Sequence, residues 1–373
     1  MRHAILAALL FATPAAAAPP SYTVQDIGTL GGSYALGEDI NANGWITGSS
    51  NRADGWQHAF LFNGTAMIDL GTLGGLVSAG YGINAAGTVV GQSWTAGVAP
   101  SQAFLHNGTM TLLGGLSSQS SQAQAINTAG VVVGAGSVSG FNHAFRDIGG
   151  VKTDLGTLGG PSSFARDIND SGWIAGDANV AAGHTRAFRY NGSTMLNLGT
   201  LGGLTSFGQG INAAGHVVGR STLPGDTLTR AFLHDGISMV SLGTLGGNYS
   251  AAEEINASGQ IVGTSRRANN SETAFLYVGS TMYDLNTLVA NTDPLYGVVA
   301  LHLANAINDA GQIVAYSHTT QHTYLLTPVP PPAPPPPVPT ATTPEPATLA
   351  LFAAGLLGLA AARRRPAGTG QQA

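Results

Sequence analysis

The sequence predicts an all-β protein, a seven-bladed β-propeller of four-stranded repeats about 43 residues long. The first observation is the motif I-N-x-x-G, which occurs seven times, starting at residues 40, 83, 126, 168, 211, 255 and 307. The second is that each repeat alternates short apolar stretches with turn signals, as strands and hairpins do. The third is composition: 53 Gly and only 9% charged residues favour tight turns and packed strands over helices.

Each repeat divides into four predicted strands. The first ends at Ile-Asn of the motif, and N-x-x-G forms a tight turn into a second strand that carries an apolar pair. The third strand is typified by HAFLF at 58–62, and an Asn-Gly turn leads to the fourth, AMIDLGTL at 66–73. Four strands in about 43 residues is the period of a propeller blade.

The two ends of the repeat region complement each other. YTVQDIGTL at 22–30 matches a fourth strand that has no repeat before it, and HTYLL at 322–326 matches a third strand that has no fourth strand after it. Pairing the two completes seven blades and a ring closed by the N-terminal strand, which removes exposed sheet edges. The third repeat lacks Gly-Thr-Leu between Leu113 and Gly114, which predicts a short outer strand or a tight link.

The repeated apolar residues are predicted to fill the interfaces between neighbouring blades. One set falls at a single position of the third strand: Phe60, Phe104, Phe145, Phe188, Phe232, Phe275 and Tyr324. A second set falls at one position of the fourth strand: Leu73, Leu158, Leu201 and Leu245.

The N-terminus has the layout of a secretory signal peptide, predicted at residues 1–17. A basic start precedes an apolar run at 4–12 and a series of small residues. The alternative is a membrane helix, but the run is far shorter than the roughly 20 residues that a bilayer requires.

The C-terminus contains a proline-rich linker, predicted at residues 328–343, and then a compact series of signals. Pro344, Glu345 and Pro346 precede an apolar segment at 347–362, the cluster Arg363, Arg364 and Arg365, and a tail at 366–373. This arrangement at 344–365 resembles the PEP-CTERM sorting signal of Gram-negative bacteria that export exopolysaccharide. The resemblance implies transient membrane insertion, processing by an exosortase and delivery to the cell surface or extracellular matrix.

One departure of this segment from the sorting pattern leaves an alternative interpretation open. Eight residues follow the arginine cluster, somewhat more than the sorting pattern usually has. A permanent single-span anchor is the competing interpretation, although 16 apolar residues rich in Ala and Gly span a bilayer poorly.

The repeat domain, predicted at residues 19–327, resembles the HAF family of bacterial extracellular repeat proteins. The naming tripeptide His-Ala-Phe stands at 58–60 and 143–145. The resemblance covers residues 22–326 and implies a surface or matrix location, but it implies no activity.

Composition and motifs exclude several classes of function. Four of the 14 basic and one of the 19 acidic residues lie in the tails, so the repeat region carries 10 basic and 18 acidic residues. This balance excludes nucleic acid as a partner. The chain has no Cys and no recognisable catalytic or phosphate-binding motif, so no metal, cofactor or catalytic residue is predicted.

Two features that resemble ligand sites are given structural interpretations. The His of His-Ala-Phe is replaced elsewhere by Gln102, Arg186, Arg230 and Thr273, so we interpret His58 and His143 as structural. The segment Asp167–Gly172 resembles a calcium loop faintly, but it coincides with the I-N-x-x-G turn that every repeat has.

Two groups of residues are candidates for ligand binding. A polar residue stands two positions before the motif Ile in every repeat: Glu38, Tyr81, Gln124, Arg166, Gln209, Glu253 and Asn305. If the first strand is innermost, they form a ring at the central channel, which holds a small polar ligand or sugar, or else is simply a hydrated lining. A second group lies on the loops after the second strand: Arg52, Trp56, Trp94, Arg230, Arg266 and Arg267. These residues bind glycans or proteins, or are ordinary loop residues.

The resulting hypothesis is an exported binding or structural module at the cell surface or in the matrix, associated with exopolysaccharide or with surface proteins and without enzymatic activity. One alternative is a polysaccharide hydrolase or lyase using carboxylates at the axis, for which Glu38, Asp39, Asp167, Glu253 and Glu254 are the candidates. The other is a structural matrix protein that self-associates, which the low charge permits.

Overall fold

A computed structural model describes residues 19–97 and 100–330 of the chain. The predicted signal peptide and sorting segment, together with most of the proline-rich linker, lie outside the described residues. Within the described ranges, no helix is both long and apolar enough to cross a membrane.

The described residues are almost entirely β-structure, with 28 strands and one short 3-10 helix at Leu285–Leu288. The strands of the first half are β1 (Tyr22–Asp26), β2 (Gly31–Ile40), β3 (Ile46–Arg52), β4 (Gln57–Phe62), β5 (Met67–Asp69), β6 (Gly74–Ile83), β7 (Val89–Thr95), β8 (Gln102–His106), β9 (Met110–Leu112), β10 (Ser121–Ile126), β11 (Val132–Val138), β12 (Phe141–Ile148), β13 (Val151–Asp154) and β14 (Gly159–Ile168). Those of the second half are β15 (Ile174–Val180), β16 (Thr185–Tyr190), β17 (Met195–Asn197), β18 (Ser206–Ile211), β19 (Val217–Thr222), β20 (Thr229–His234), β21 (Met239–Gly243), β22 (Gly246–Ile255), β23 (Ile261–Arg267), β24 (Glu272–Val278), β25 (Thr281–Asp284), β26 (Leu303–Ile307), β27 (Ile313–Tyr316) and β28 (Thr323–Pro328).

The strands group into four-stranded antiparallel units in chain order. Five units are separate sheets, and two form an eight-stranded sheet because one parallel bridge, Thr229 to Tyr249, links β20 to β22. The last sheet takes its fourth strand from the other end of the chain, since β1 pairs antiparallel with β28 from Tyr22–Pro328 to Asp26–Tyr324. The predicted all-β architecture of four-stranded repeats is confirmed.

The phrase D-L-G-T-L-G-G forms a turn between units, where we expected most of it to belong to the fourth strand. In the first complete unit β5 ends at Asp69, and Gly74 already begins β6. Gly71 and Gly74 have φ of 74° and 95°, which breaks an extended strand. Thr72 Oγ1 accepts a bond from the Gly74 amide (3.2 Å) and donates to the Gly75 carbonyl (2.8 Å), which fixes the turn.

The missing Gly-Thr-Leu between Leu113 and Gly114, in the second complete unit, does not shorten the outer strand of that unit. Strand β9 has three residues, as β5 and β17 do. The deletion therefore falls in the link before β10, because that link, and not the strand, is where the other repeats carry Gly-Thr-Leu.

The repeated aromatic residues pack between neighbouring units. Phe60 of the first unit clusters with Ala306, Val314 and Leu325 of the last, and Phe104 of the second clusters with Ala59 and Leu70 of the first. All seven aromatic residues of the set are buried. The leucines of the inter-unit turns are partly buried against the same clusters. The repeated aromatic and leucine positions therefore give successive interfaces between units equivalent apolar packing.

Candidate functional site

A β-bulge interrupts the first strand of every unit at the predicted ring position. The register with the second strand skips one residue, or two in β18, at Glu38, Tyr81, Gln124, Arg166, Gln209–Gly210, Glu253 and Asn305. A bulge leaves its extra residue out of the ladder and re-aims side chains. The bulges explain how two adjacent residues, such as Glu38 and Asp39, reach the same space.

The seven bulge residues converge on one cavity of about 290 Å³, the axial cavity. Its lining contains all seven predicted ring residues and the adjacent acids Asp39, Asp167 and Glu254. The first strands therefore bring together groups from all seven units, which no single repeat could do.

Four of the seven ring residues are held by side-chain hydrogen bonds. Gln209 Nε2 donates to Glu253 Oε2 (2.8 Å), and Asn305 Nδ2 donates to the Gly37 carbonyl (2.8 Å). Arg166 Nε donates to Asp177 Oδ1 (2.9 Å).

Glu38, Tyr81 and Gln124 differ from these four because their side chains make no hydrogen bond to another described residue. Their polar atoms remain available to a ligand in the axial cavity. They lie on three consecutive units, so the available groups occupy one side of the ring.

Two of the adjacent acids, Asp39 and Asp167, accept backbone amide bonds across unit boundaries. Asp39 accepts bonds from the amides of Ile40 (2.7 Å) and Ile83 (2.8 Å). Asp167 accepts from Ile168 and Ile211 at the same two distances. Each carboxylate therefore ties its own strand to that of the next unit, which is a structural use of these groups.

An asparagine ring lies next to the axial cavity, formed by the Asn of I-N-x-x-G. In every unit its Nδ2 donates to the backbone carbonyl of the equivalent Asn in the following unit, at 2.9–3.3 Å, and the last donates back to the first. The members are Asn41, Asn84, Asn127, Asn169, Asn212, Asn256 and Asn308. Sequence reasoning assigned this Asn only a turn role, although its presence in all seven repeats was the available signal.

Burial raises the pKa of the axial carboxyl groups. The pKa of Glu38 rises to about 7 because it is buried and faces the charges of Glu253 and Asp39. Burial raises the pKa of Asp39 to about 6, although its two amide bonds act in the opposite direction. Burial raises the pKa values of Asp167 and Glu254, and neighbouring carboxylates add to this, Asp39 for Asp167 and chiefly Asp167 for Glu254.

These shifts predict a fall in stability with rising pH. A carboxyl with a raised folded-state pKa stabilises the fold below its unfolded pKa, and this contribution is lost as pH rises through the folded value. We expect the free energy of unfolding, measured by urea denaturation, to fall between pH 5 and pH 8, and Glu38→Gln to flatten that fall. The control is Asp235→Asn, an exposed acid with a lowered pKa, which leaves the slope in this window unchanged. Stability that increases across the window contradicts the assignment.

The described residues contain no group of three or more His, Asp or Glu side chains arranged to hold a metal ion. The calcium-like segment forms a turn, in which Asp170 Oδ1 accepts a bond from the Thr128 amide (2.9 Å). Both carboxylate oxygens of Asp167 and one of Asp170 therefore accept backbone amides.

The His of His-Ala-Phe pairs with the Asp of the adjacent outer strand. His58 Nδ1 lies 2.7 Å from Asp69 Oδ1, and His143 Nδ1 lies 2.8 Å from Asp154 Oδ2. The closing pair repeats this geometry, with His322 Nδ1 at 2.8 Å from Asp26 Oδ2. The pairs join third to fourth strands, as expected for a structural role.

The predicted rim residues are dispersed. Arg267 Nε donates to Asp284 Oδ2 (2.6 Å), and the guanidinium of Arg266 lies 5.7 Å from the ring centroid of Tyr249. Trp56 is exposed on its loop and does not line the axial cavity. Trp94 lines a separate groove that also includes Glu38 and Tyr81, so it is the rim residue placed beside the predicted ring.

Comparisons with known proteins identify the C-terminal signal. Residues 342–365 match the PEP-CTERM protein-sorting motif. The chain is an exported protein processed by an exosortase. The motif marks anchoring at the cell surface of a Gram-negative bacterium, in agreement with the position predicted from Pro344–Pro346 and the arginine cluster.

No curated protein matches the chain. Among solved structures, a TolB-like protein from Agrobacterium tumefaciens is 13% identical, over 84% of this chain and 99% of that one, with a TM-score of 0.43. The β-propeller domain of the Trilobed protease from Pyrococcus furiosus is 11% identical, over 71% of this chain and 83% of that one, with a TM-score of 0.45.

Proposed function

We propose that the chain is a surface-attached binding module of the exopolysaccharide matrix, with a closed seven-bladed propeller as its binding domain. Three observations support closure. Strand β1 completes the sheet of β26–β28, and the asparagine bonds return from Asn308 to Asn41. The first strands of consecutive units are in contact, including those of the last and first units. A closed ring protects its sheet edges and gives a rigid frame for a site at the axis.

The observation that carries the binding role is the convergence of seven bulge side chains on the axial cavity. Its lining offers amides, a phenol, carboxyls and one guanidinium, which together suit a polar ligand rich in hydroxyl groups. Exosortase processing places this site outside the cell, where polysaccharide is the abundant polymer of that kind.

A polysaccharide hydrolase or lyase is the second candidate, favoured by the raised pKa of Glu38, which suits a general acid. Hydrolysis of this type uses two carboxyl groups in different roles. Asp39, Asp167 and Glu254 accept backbone amide bonds, and Glu253 accepts a bond from Gln209. Glu38 is therefore left without a free partner, which favours binding over catalysis.

The test is retention of the purified exported protein on exopolysaccharide from the producing bacterium, with and without calcium, together with sizing of the sugar chains afterwards. We expect retention of the unmodified protein without shortened chains, and reduced retention of the double variant Glu38→Gln/Gln124→Ala. The control Asn107→Ala, an exposed residue of a turn between third and fourth strands, binds like the unmodified protein.

Other outcomes overturn the proposal in different ways. Shortened sugar chains that disappear with Glu38→Gln indicate an enzyme. If the polysaccharide retains no protein and sedimentation increases with protein concentration, the chain is a self-associating structural protein.

A further inference from the structure

We propose that the groove between the first and second units holds an uncharged glycan chain that extends outward from the axial cavity. The groove has a volume of about 220 Å³, and its principal lining residues are Tyr34, Glu38, Gln57, Tyr81, Gln92 and Trp94. Glu38 and Tyr81 also line the axial cavity, so the groove adjoins that cavity. This inference rests on the proposed polysaccharide-binding function and assigns it a site.

Three aromatic side chains give the groove surfaces for sugar rings. Tyr34 lies on β2, Tyr81 on the bulge of β6, and Trp94 near the end of β7, with 46% of its surface exposed. Aromatic rings combine a broad apolar face with a polar tip, which suits pyranose rings that have one C–H face and hydroxyl edges. Burial raises the pKa of Tyr81 to about 12, so its hydroxyl is a donor at physiological pH.

Two glutamines supply hydrogen-bonding groups along the groove. Gln57 Nε2 donates to Ser49 Oγ (2.8 Å), which fixes the amide, and Gln92 lies on β7 two residues before Trp94. A primary amide presents both donors and an acceptor, so it can bind adjacent hydroxyl groups of one sugar.

The charge of the lining selects uncharged chains. None of the residues that line the groove is Lys or Arg, and Glu38 is its one acid. An acidic polysaccharide requires cationic partners for its carboxylates. The rim arginine Arg267 is instead paired with Asp284.

The N-x-x-G turn joins the end of β6 to the start of β7. Gly74 at the start of β6 pairs with Thr95 at the end of β7, one residue beyond Trp94. The groove therefore lies toward the end of these strands that is opposite the turns. The chain leaves the described sheets on the turn face. Strand β28 ends at Pro328, and a Cβ added at Gly311 of the last turn would lie 3.3 Å from Pro328 Cγ. Among the described residues, the end of β28 therefore lies at the turn face and not at the groove.

The experiment uses neutral and acidic oligosaccharides, separated by anion exchange from a partial hydrolysate of the producing bacterium's exopolysaccharide. Binding to the full exported protein is followed by calorimetry. We expect the neutral fraction to bind and Trp94→Ala to weaken it about tenfold, because an exposed aromatic platform is lost. Trp94→Phe retains part of the affinity, and Gln92→Ala weakens binding without changing the fold measured by circular dichroism.

The matched control is Trp56→Ala, an equally exposed tryptophan on the loop of the preceding unit that does not line the groove. Unchanged binding by Trp94→Ala and Gln92→Ala, with retention on whole polysaccharide intact, overturns the groove assignment and leaves the proposed function standing. Preferential binding of the acidic fraction overturns the ligand class. If neither whole polysaccharide nor either fraction binds the unmodified protein, the proposed function fails together with this inference.

Discussion

Replacing Asn41 with alanine is expected to lower the free energy of unfolding by about 3 kcal/mol. The substitution removes the donor to the Asn84 carbonyl (3.0 Å) and the acceptor of the Asn43 and Trp45 amides (2.9 and 3.0 Å). The side chain is buried, and each polar group left unpaired there costs about 1–3 kcal/mol. Urea denaturation measures the loss directly, provided that the dependence of the unfolding free energy on urea concentration is the same in both proteins.

The control for this prediction lies two residues further along the same turn. Asn43 is exposed and donates one bond to the Ala85 carbonyl (3.0 Å), so Asn43→Ala should cost less than about 1 kcal/mol. Equal losses for the two variants would show that the asparagine ring has no special stabilising role.

The same measurement at Asn308 tests ring closure. Its amide donates to the Asn41 carbonyl (3.0 Å), a bond between the last and first units, and its Oδ1 accepts from the Gln312 amide (2.9 Å). In a closed ring Asn308→Ala costs about as much as Asn41→Ala, since the seven interfaces are equivalent. A much smaller loss at Asn308 indicates that the last and first units separate in solution.

The ring residues could be predicted from sequence because they stand at the same position in every repeat. Glu38 and Tyr81 stand at the same distance before the motif Ile, and a regular period converts equal positions into equal places around an axis. The bulge that directs them inward was not predictable, because it depends on the pairing of the first strand with the second.

Other features could not be found because they depend on pairs of units. The Asn of I-N-x-x-G has a sufficient local explanation as a turn residue, so its bond to the next unit gave no separate signal. The groove joins Trp94 to Tyr34 of a different repeat, and the variable loops gave no indication of which residues meet. The sequence pattern assigns Gly71–Leu73 to the fourth strand, whereas positive φ at Gly71 and Gly74 makes this segment a turn.

The second large loss of stability is expected for a substitution of Tyr22 in the N-terminal strand β1. This side chain is fully buried among Leu285, Leu288 and Leu301, which lie on the segment that links β25 to β26. Tyr22→Ala removes that packing at the seam between the chain's two ends, and large aromatic truncations in cores cost about 3–5 kcal/mol. We expect a loss of this size by urea denaturation.

Tyr22→Phe separates packing by the ring from the contribution of the hydroxyl. The hydroxyl of Tyr22 is buried without a partner among the described residues, and burial raises its pKa to about 12. Removing an unsatisfied polar atom while keeping the ring should leave stability unchanged or slightly increased. If Tyr22→Ala is as mild as Tyr22→Phe, strand β1 is not a closing element, and the propeller must hold its last sheet with three strands. A severe alanine variant beside a neutral phenylalanine variant shows instead that the stability of the sheets depends on the packing of strand β1.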